Sequence, residues 1–176
     1  MSKNPPKIAI LIEDLYQVLE VWYPLLRLNE AGIKVQTIGT GGQEVYKSKE
    51  GYPVRADTSI DKVNVNEFSG VIIPGGYAPD ILRRYEKVVE FVRSLYRSGK
   101  TVAAICHGGW LLVSADILRG QKATCFFAIK DDLIAAGAQY MDSEVVVDKN
   151  LITSRKPEDL PRFVQEIIAQ QKPQPK

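Results

Sequence analysis

The sequence predicts an α/β protein, a three-layer α/β/α sandwich in which helices cover both faces of a mostly parallel sheet. Two observations support this prediction: short continuous apolar runs are typical of strands buried on both faces, and amphipathic segments alternate with them along the chain. With 176 residues, 45% of them hydrophobic, the chain is long enough to bury one core. We therefore expect a single domain over residues 1–171 and a frayed polar tail over residues 172–176.

The first half of the chain contains three predicted strands, at residues 7–12, 33–38 and 68–73. Between the first two, a helical pattern ends near Gly32, and Pro24 marks either a kink or a late start. Residues 39–52 are rich in glycine and charge and predict a hairpin or a loop excursion. The expected buried face of the helix consists of Val18, Leu19, Trp22, Leu25 and Leu26.

The second half continues the alternation. An amphipathic helix over residues 88–95 precedes a strand at 101–105, and a further helix follows at 110–113. A short helix at 131–136 leads to a strand pair, 144–147 and 151–153, that turns at residues 148–150. The last helix begins near Pro157, and its apolar stripe consists of Leu160, Phe163, Val164, Ile167 and Ile168.

Composition excludes several classes of function. The net charge of +2, from 23 basic and 21 acidic residues, gives no electrostatic footprint for nucleic acid or a membrane surface. The N-terminus lacks the apolar segment of a secretory signal, and no run of about 18 apolar residues could span a bilayer, so we expect a cytoplasmic protein. Cys106, Cys125 and a single histidine are too few for a standard zinc site. We expect two free thiols, no metal and no cofactor.

The strongest candidate for chemistry is Cys106, which is followed by His107, the only histidine. The pair lies where the apolar run 101–105 breaks into Gly108 and Gly109, the pattern of a sharp strand-to-helix turn. Such a turn exposes the thiol and aims backbone N–H groups toward it, which favours the thiolate and predicts a nucleophile. A lone cysteine after an apolar strand is otherwise most often a buried small hydrophobe, as we expect for Cys125.

Two further features follow predicted strands and are expected to share a crevice with Cys106, since ligands bind at the carboxyl ends of parallel strands. Gly75, Gly76 and the backbone of His107 are candidates for an oxyanion hole, because glycine lets the backbone approach a substrate oxygen closely. Glu13, desolvated beside the thiolate, is expected to stay protonated and to donate a hydrogen bond to the sulfur. The alternatives are a simple turn for the glycines and a surface or helix-start position for Glu13.

Seven short segments occur in a distinctive order: Ile-Glu-Asp at 12–14, Ile-Pro-Gly-Gly-Tyr-Ala-Pro-Asp at 73–80, Ala-Ala-Ile-Cys-His-Gly at 103–108, Ile-Lys-Asp-Asp at 129–132, Ala-Gly at 136–137, Glu-Val-Val-Val-Asp at 144–148 and Ile-Thr-Ser-Arg at 152–155. Together they resemble the DJ-1/PfpI superfamily, most closely its PfpI-type intracellular protease branch, over nearly the whole chain. The resemblance implies a flavodoxin-like sandwich, a Cys-His pair at the elbow and a glutamate hydrogen-bonded to the cysteine. It also implies self-association into homodimers, often assembled into hexamers.

The chain departs from PfpI-type members in three places. Their histidine is oriented by a neighbouring subunit's glutamate from just after the Pro-Gly-Gly motif, whereas this chain has the shorter Asp80, which could equally cap a helix. Gly109 and Trp110 stand where members commonly have Gly-Pro and a polar residue. The stretch at 15–19 is longer than in the archaeal proteases. We therefore expect four aromatic residues to line the pocket and to change its shape, namely Tyr16, Trp22, Tyr77 and Trp110.

The resemblance implies three activities. They are glyoxalase III or deglycase chemistry on α-oxoaldehydes such as methylglyoxal, intracellular peptide hydrolysis, and a redox-stress sensor or chaperone role of Cys106 without turnover. An activated thiol beside acid-base groups, with no evident extended peptide groove, favours the first, so a small carbonyl compound is the expected substrate before a peptide. Class I glutamine amidotransferases and α/β-hydrolases are excluded, because both need a histidine later in the chain.

Overall fold

The computed structural model describes residues 6–172 of the chain. Residues 1–5 lie outside the described part, as does the predicted tail except for Lys172.

The helices and strands of the described part are short and alternate along the chain. In chain order the strands are β1 (Lys7–Leu11), β2 (Lys34–Gly39), β3 (Val45–Lys47), β4 (Pro53–Arg55), β5 (Thr58–Ser59), β6 (Gly70–Ile73), β7 (Thr101–Ile105), β8 (Lys122–Ala123), β9 (Gln139–Tyr140), β10 (Val145–Asp148) and β11 (Leu151–Ser154). The helices are α1 (Val18–Glu30), α2 (Ala78–Leu82), α3 (Glu86–Arg97), α4 (Gly109–Ser114), α5 (Lys130–Ala135) and α6 (Leu160–Gln171).

The predicted fold class is confirmed by the main sheet, which within residues 6–172 has the strand order β10-β11-β7-β6-β1-β2-β5. The neighbours among β2, β1, β6, β7 and β11 pair in parallel, which is the order of a flavodoxin-like, doubly wound sheet. The predicted strand pair is the antiparallel hairpin of β10 and β11, and it forms one edge of the sheet. Helices α1 and α6 pack against each other, and α3 packs against α4, which builds the helical layers.

The strand order brings the candidate residues to one place. β6 lies between β1 and β7, so the loops that follow Leu11, Ile73 and Ile105 leave the same edge of the sheet side by side. The Pro-Gly-Gly segment and the Cys-His pair therefore meet at this edge. This is the crevice in which open α/β sheets bind their ligands.

Helix α1 has the predicted extent and, in part, the predicted buried face. Val18, Trp22 and Leu25 pack against the core as predicted, whereas Leu19 and Leu26 are 51% and 61% exposed. The fully buried positions of the helix are Glu20, Val21, Pro24 and Leu28, and the helix continues through Pro24. The prediction was wrong for Leu19 and Leu26, because a buried glutamate occupies part of the inward stripe and hydrophobicity alone does not identify it.

The excursion between β2 and β6 is a hairpin, as predicted, in which β3 and β4 pair in antiparallel fashion. The short elements α2, β5, β8 and β9 have no counterpart in the prediction, since each is too short to show a hydrophobic period. Within residues 6–172 no helix combines the length and the apolar character needed to cross a bilayer.

Candidate active site

Cys106 lies on a strained turn between β7 and α4. Its backbone has a φ of 60°, in the left-handed region that non-glycine residues rarely adopt, and the residues Cys106–Gly108 form a single 3-10 turn that leads into the helix. The Cys106 carbonyl accepts a hydrogen bond of 3.3 Å from the Phe126 backbone N–H. Strain of this kind clusters at functional sites. The strand-to-helix elbow predicted from the sequence is present.

The glycine loop that follows β6 packs directly against this elbow. A Cβ atom on Gly75 would lie 2.7 Å from the Cβ of Cys106 and 2.9 Å from the backbone nitrogen of His107, so only glycine fits. Gly76 has a φ of 77° and forms an isolated antiparallel bridge with Tyr16. The loop is thereby fixed between the elbow and the segment that precedes α1.

Glu20 is the acid beside the thiol. It lies in the first turn of α1, where the side chain of Gln17 caps the helix by accepting a 3.0 Å hydrogen bond from the Glu20 backbone N–H. The Glu20 side chain is fully buried, and its Oε2 accepts a 2.6 Å hydrogen bond from the backbone N–H of Gly75. The carboxyl also interacts with the neighbouring thiol of Cys106, and its Oε1 has no hydrogen-bond partner within residues 6–172.

Glu13, which the sequence analysis placed beside the sulfur, lies elsewhere. Its Oε2 accepts a hydrogen bond from the Thr40 hydroxyl, its Oε1 accepts one of 2.9 Å from the Asp14 backbone N–H, and it is absent from the cavity lining. The strand end at Glu13 runs beside β2, which directs its side chain toward Thr40. The sequence signal for Glu20 is its position in the first turn of the predicted helix. It lies next to Val21 and one turn before Pro24, both of which are buried.

The pKa values of the thiol and the acid are coupled by their proximity. Burial raises the pKa of Glu20 to about 7. Burial first, and then the charge of Glu20, raise the pKa of Cys106 to about 12, although the backbone N–H groups of His107 and Gly76 act in the opposite direction. The free thiolate expected from the sequence is therefore disfavoured in this site, because Cys106 is only 8% exposed and its thiol faces a second acid. A thiolate is favoured only while Glu20 holds the proton that the two groups share.

His107 stands next to the sulfur and between two aromatic rings. Its Nδ1 lies 3.2 Å from the Sγ of Cys106. Its ring stacks on Phe126 and meets Trp110 edge-on, with 5.1 Å between ring centroids in both pairs. Burial, followed by the positive charge of Lys49, lowers the pKa of His107. The imidazole is therefore neutral at neutral pH and available to accept a proton.

The predicted oxyanion hole needs one correction. The N–H groups of Gly76 and His107 point toward the sulfur and lower its pKa, so both are available to a substrate oxygen bound there. The N–H of Gly75 is already used by Glu20. Gly75 therefore lets the loop approach Cys106 closely and holds the carboxyl of Glu20. The candidate oxyanion donors are the N–H groups of Gly76 and His107.

A cavity of about 510 Å³ opens over the sulfur. Of the four aromatic residues expected to line it, Tyr77 and Trp110 do so. Tyr16 does not, since it is fully buried and its hydroxyl donates a 2.8 Å hydrogen bond to the Tyr52 carbonyl, and Trp22 packs edge-on against Tyr52 instead. Several other residues line the cavity without having been predicted from the sequence, namely Leu15, Gln17, Glu20, Lys49, Phe126 and Pro157.

Asp80 lies outside the cavity lining in the single chain. It is inside the first turn of α2, which begins at Ala78, so it does not cap that helix. Its carboxylate pairs with Arg84, and this ion pair lowers the pKa of Asp80. Among residues 6–172 no carboxylate lies within hydrogen-bond distance of His107. The role of Asp80 from a neighbouring subunit stays a prediction.

Cys125 is 1% exposed and belongs to the core, as expected.

Comparisons with known proteins identify the family of the chain. The sequence model that represents the DJ-1/PfpI family matches residues 6–170 of this chain. The "Deglycase PfpI" of Pyrococcus furiosus is 42% identical over 162 residues, which cover 92% of this chain and 97% of that protein. The "Putative cysteine protease YraA" of Bacillus subtilis is 39% identical over 168 residues, which cover 96% of this chain and 98% of that protein.

A solved structure gives the same result for the fold. A two-domain protein of Anabaena variabilis with DJ-1/ThiJ/PfpI-like and ferritin-like domains superimposes with a TM-score of 0.91 at 44% identity over 93% of this chain. This chain spans 47% of that protein. The resemblance inferred from the motifs is confirmed, and the chain belongs to the DJ-1/PfpI family.

Proposed function

We propose that the protein is a cysteine-dependent enzyme that converts α-oxoaldehydes such as methylglyoxal, or their adducts, into α-hydroxy acids, as a glyoxalase III or deglycase. The observation that carries the proposal is the Sγ of Cys106 at 3.2 Å from the Nδ1 of His107, with the buried acid Glu20 beside it. The cavity of about 510 Å³ suits a small ligand. A relative named as a deglycase supports the same class of reaction.

The first step uses the proton shared by the thiol and Glu20. With that proton on Glu20, the sulfur of Cys106 attacks the aldehyde carbon, a C–S bond forms, and the carbonyl electron pair moves to oxygen. The N–H groups of Gly76 and His107 stabilise this oxygen, which then takes the proton from Glu20. The product is a hemithioacetal. When the aldehyde is bound as an adduct, the C–N or C–S bond of the adduct breaks as the C–S bond to Cys106 forms, and the leaving amine or thiol takes the proton from Glu20.

The second step is an internal oxidation and reduction. The neutral His107 removes the proton from the carbon that carries sulfur and returns it to the adjacent carbon, while the hydroxyl proton on the first carbon passes to the carbonyl oxygen of the second. The first carbon is thereby oxidised to a thioester and the second reduced to an alcohol, so no external oxidant is needed. Water then hydrolyses the thioester, which releases lactate and restores the thiol of Cys106.

Lactate production from methylglyoxal tests the proposal. We expect lactate with the wild-type protein and with Cys125→Ala, which removes the buried thiol, and none above background with Cys106→Ala. Equal lactate from wild type and Cys106→Ala would refute the proposed reaction.

Peptide hydrolysis is the second candidate, because a relative is named as a putative cysteine protease. Short fluorogenic peptides test it, with release expected to disappear in Cys106→Ala. A non-catalytic sensor would instead show a stable two-oxygen adduct on Cys106 after mild peroxide treatment, by intact-mass spectrometry, with no turnover of either substrate class.

A further inference from the structure

The turn between β3 and β4 brings a lysine to the mouth of the catalytic cavity. The backbone N–H of Lys49 donates a 3.0 Å hydrogen bond to the carbonyl of Tyr16, the residue that bridges Gly76. The hydroxyl of Ser48 accepts hydrogen bonds of 3.1 Å from the backbone N–H groups of Glu50 and Tyr52, which closes the turn. Lys49 is thus tied by backbone contacts to the loop that faces Cys106.

The ammonium of Lys49 is available to a ligand. Its side chain is 54% exposed, and the one ion pair it makes among residues 6–172, with Glu50, is long at 3.8 Å. It is the one lysine or arginine in the described lining of the cavity, whose mouth is otherwise formed largely by apolar and aromatic side chains. A cation on an apolar wall attracts an anion more strongly than a cation surrounded by water does.

The charge of Lys49 also reaches the catalytic groups. It lowers the pKa of Glu20 on one side of the cavity and the pKa of His107 on the other. A ligand that reacts at the sulfur therefore lies within the field of this ammonium. Neither Glu20 nor the neutral His107 could attract an anion in its place.

We infer that Lys49 binds the carboxylate of a small ligand held at Cys106. The identification of that ligand as an α-hydroxy acid such as lactate rests on the proposed function, but carboxylate binding itself does not. In the proposed reaction the negative charge appears on the product, at the carbon that was the aldehyde, so Lys49 stabilises the product acid.

The alkylation rates of Cys106 by two reagents of similar size test this inference without any turnover. Iodoacetate carries a carboxylate and iodoacetamide is neutral, and both transfer a two-carbon group to sulfur with loss of iodide. The ratio of the two rates cancels changes in the intrinsic reactivity of the thiol. We expect Lys49→Met to lower the iodoacetate-to-iodoacetamide ratio by about threefold to fivefold at low salt, the range for a partly exposed ion pair.

Two variants serve as controls. Lys49→Arg keeps the charge and is expected to retain most of the wild-type ratio. Lys47→Met removes an exposed lysine that is absent from the cavity lining and is expected to leave the ratio unchanged. Added salt should lower the wild-type ratio toward that of Lys49→Met. An unchanged ratio in Lys49→Met, or an equal fall in Lys47→Met, overturns the inference.

A binding measurement covers the case in which Cys106 reacts with neither reagent. Lactate is titrated into Cys106→Ser by isothermal calorimetry, and the affinity is expected to fall by a similar factor in the double variant that also carries Lys49→Met. Absent binding, or binding that Lys49→Met does not weaken, overturns the inference. Lactate formation from methylglyoxal is a separate result, so failure of the proposed function and failure of the Lys49 inference can be distinguished.

Discussion

The Oε2 atom of Glu20 lies 2.6 Å from the backbone nitrogen of Gly75, which donates a hydrogen bond to it. This bond holds a fully buried acid from the first turn of α1 against the loop that packs on Cys106. The same carboxyl interacts with the thiol of Cys106 and raises the pKa of that thiol. One hydrogen bond thus joins the helix to the glycine loop and holds the acid next to Cys106.

Replacement of this acid is expected to abolish most activity. Glu20→Gln keeps the size and an oxygen that can accept from Gly75, but the amide cannot take the proton from Cys106. We expect kcat/KM for methylglyoxal to fall by about 100-fold or more. Steady-state kinetics measure this effect.

Glu13→Gln is the matched control, because Glu13 is also a buried glutamate but contacts Thr40. We expect its kcat/KM to stay close to that of wild type. If folded Glu13→Gln lost activity while Glu20→Gln stayed active, then Glu13, and not Glu20, would be the acid that takes the proton of Cys106.

A pair of glycine substitutions separates backbone strain from close packing. Gly76 and Gly32 have nearly the same φ, 77° and 75°, so alanine costs about 1–2 kcal/mol of strain at either position. A Cβ on Gly76 would also meet the backbone nitrogen of Gln17 at 2.6 Å, whereas one on Gly32 meets nothing within 4 Å. We expect Gly76→Ala to lose a further ~1–3 kcal/mol in the free energy of unfolding.

Urea unfolding of both variants measures the difference. Activity is a second measure, since the N–H of Gly76 is a proposed oxyanion donor and Gly32 is remote from the site. Equal destabilisation of the two variants would show that the contact between Gly76 and the 15–17 segment does not constrain the fold.

The parts of the site that could be predicted are those fixed by the backbone. An apolar strand that ends in Cys106-His107-Gly108 specifies an elbow, and a strand that ends in Gly75-Gly76 specifies a close loop, so both could be placed at one edge of the sheet. The strand order places β6 next to β7, which makes the glycine loop and the elbow neighbours.

The acid could not be placed in the same way, because its position depends on the rotation of α1. Glu13 directly follows a strand, which made it the obvious candidate, whereas Glu20 reaches the site only because α1 buries Glu20 and exposes Leu19. Lys49 was missed for a related reason: the hairpin of β3 and β4 folds back over the crevice through backbone bonds to residues 15 and 16. Such contacts between distant segments leave no periodic signal in the sequence.

The aromatic contacts of His107 give a prediction that nuclear magnetic resonance can test directly, because the chain has a single histidine. The indole Nε1 of Trp110 donates a 2.7 Å hydrogen bond to Asp132, which fixes the ring that meets His107 edge-on. In Asp132→Ala the indole is released and water gains access to the imidazole. Since burial lowers the pKa of His107, we expect this pKa to rise toward 6.5.

Asp131→Ala is the control for this experiment. It removes the same charge from an exposed neighbouring position of α5 without breaking the Trp110 hydrogen bond. We expect the His107 pKa to be higher in Asp132→Ala than in Asp131→Ala, together with a lower kcat. Identical titration curves for the two variants would mean that the indole does not shield the histidine.

The raised pKa of Glu20 predicts how stability depends on pH. Burial raises this pKa from 4.5 in the unfolded chain to about 7 in the folded protein. Between these values the folded state binds more protons than the unfolded state, so protonation of Glu20 favours folding below 4.5, and this contribution is lost as the pH rises through 7. The contribution of Glu20 to the free energy of unfolding should therefore fall by about 3 kcal/mol across this window.

Urea unfolding of wild type and Glu20→Gln at about pH 5 and about pH 8 isolates the contribution, because the amide does not titrate. We expect the wild type to lose more stability than Glu20→Gln between the two pH values, while both respond alike to every other titrating group. A parallel pH dependence in the two proteins would mean that Glu20 is ionised throughout this range. The acid could then not hold the proton of Cys106 during the attack on the aldehyde, and the thiol would need another route to its thiolate.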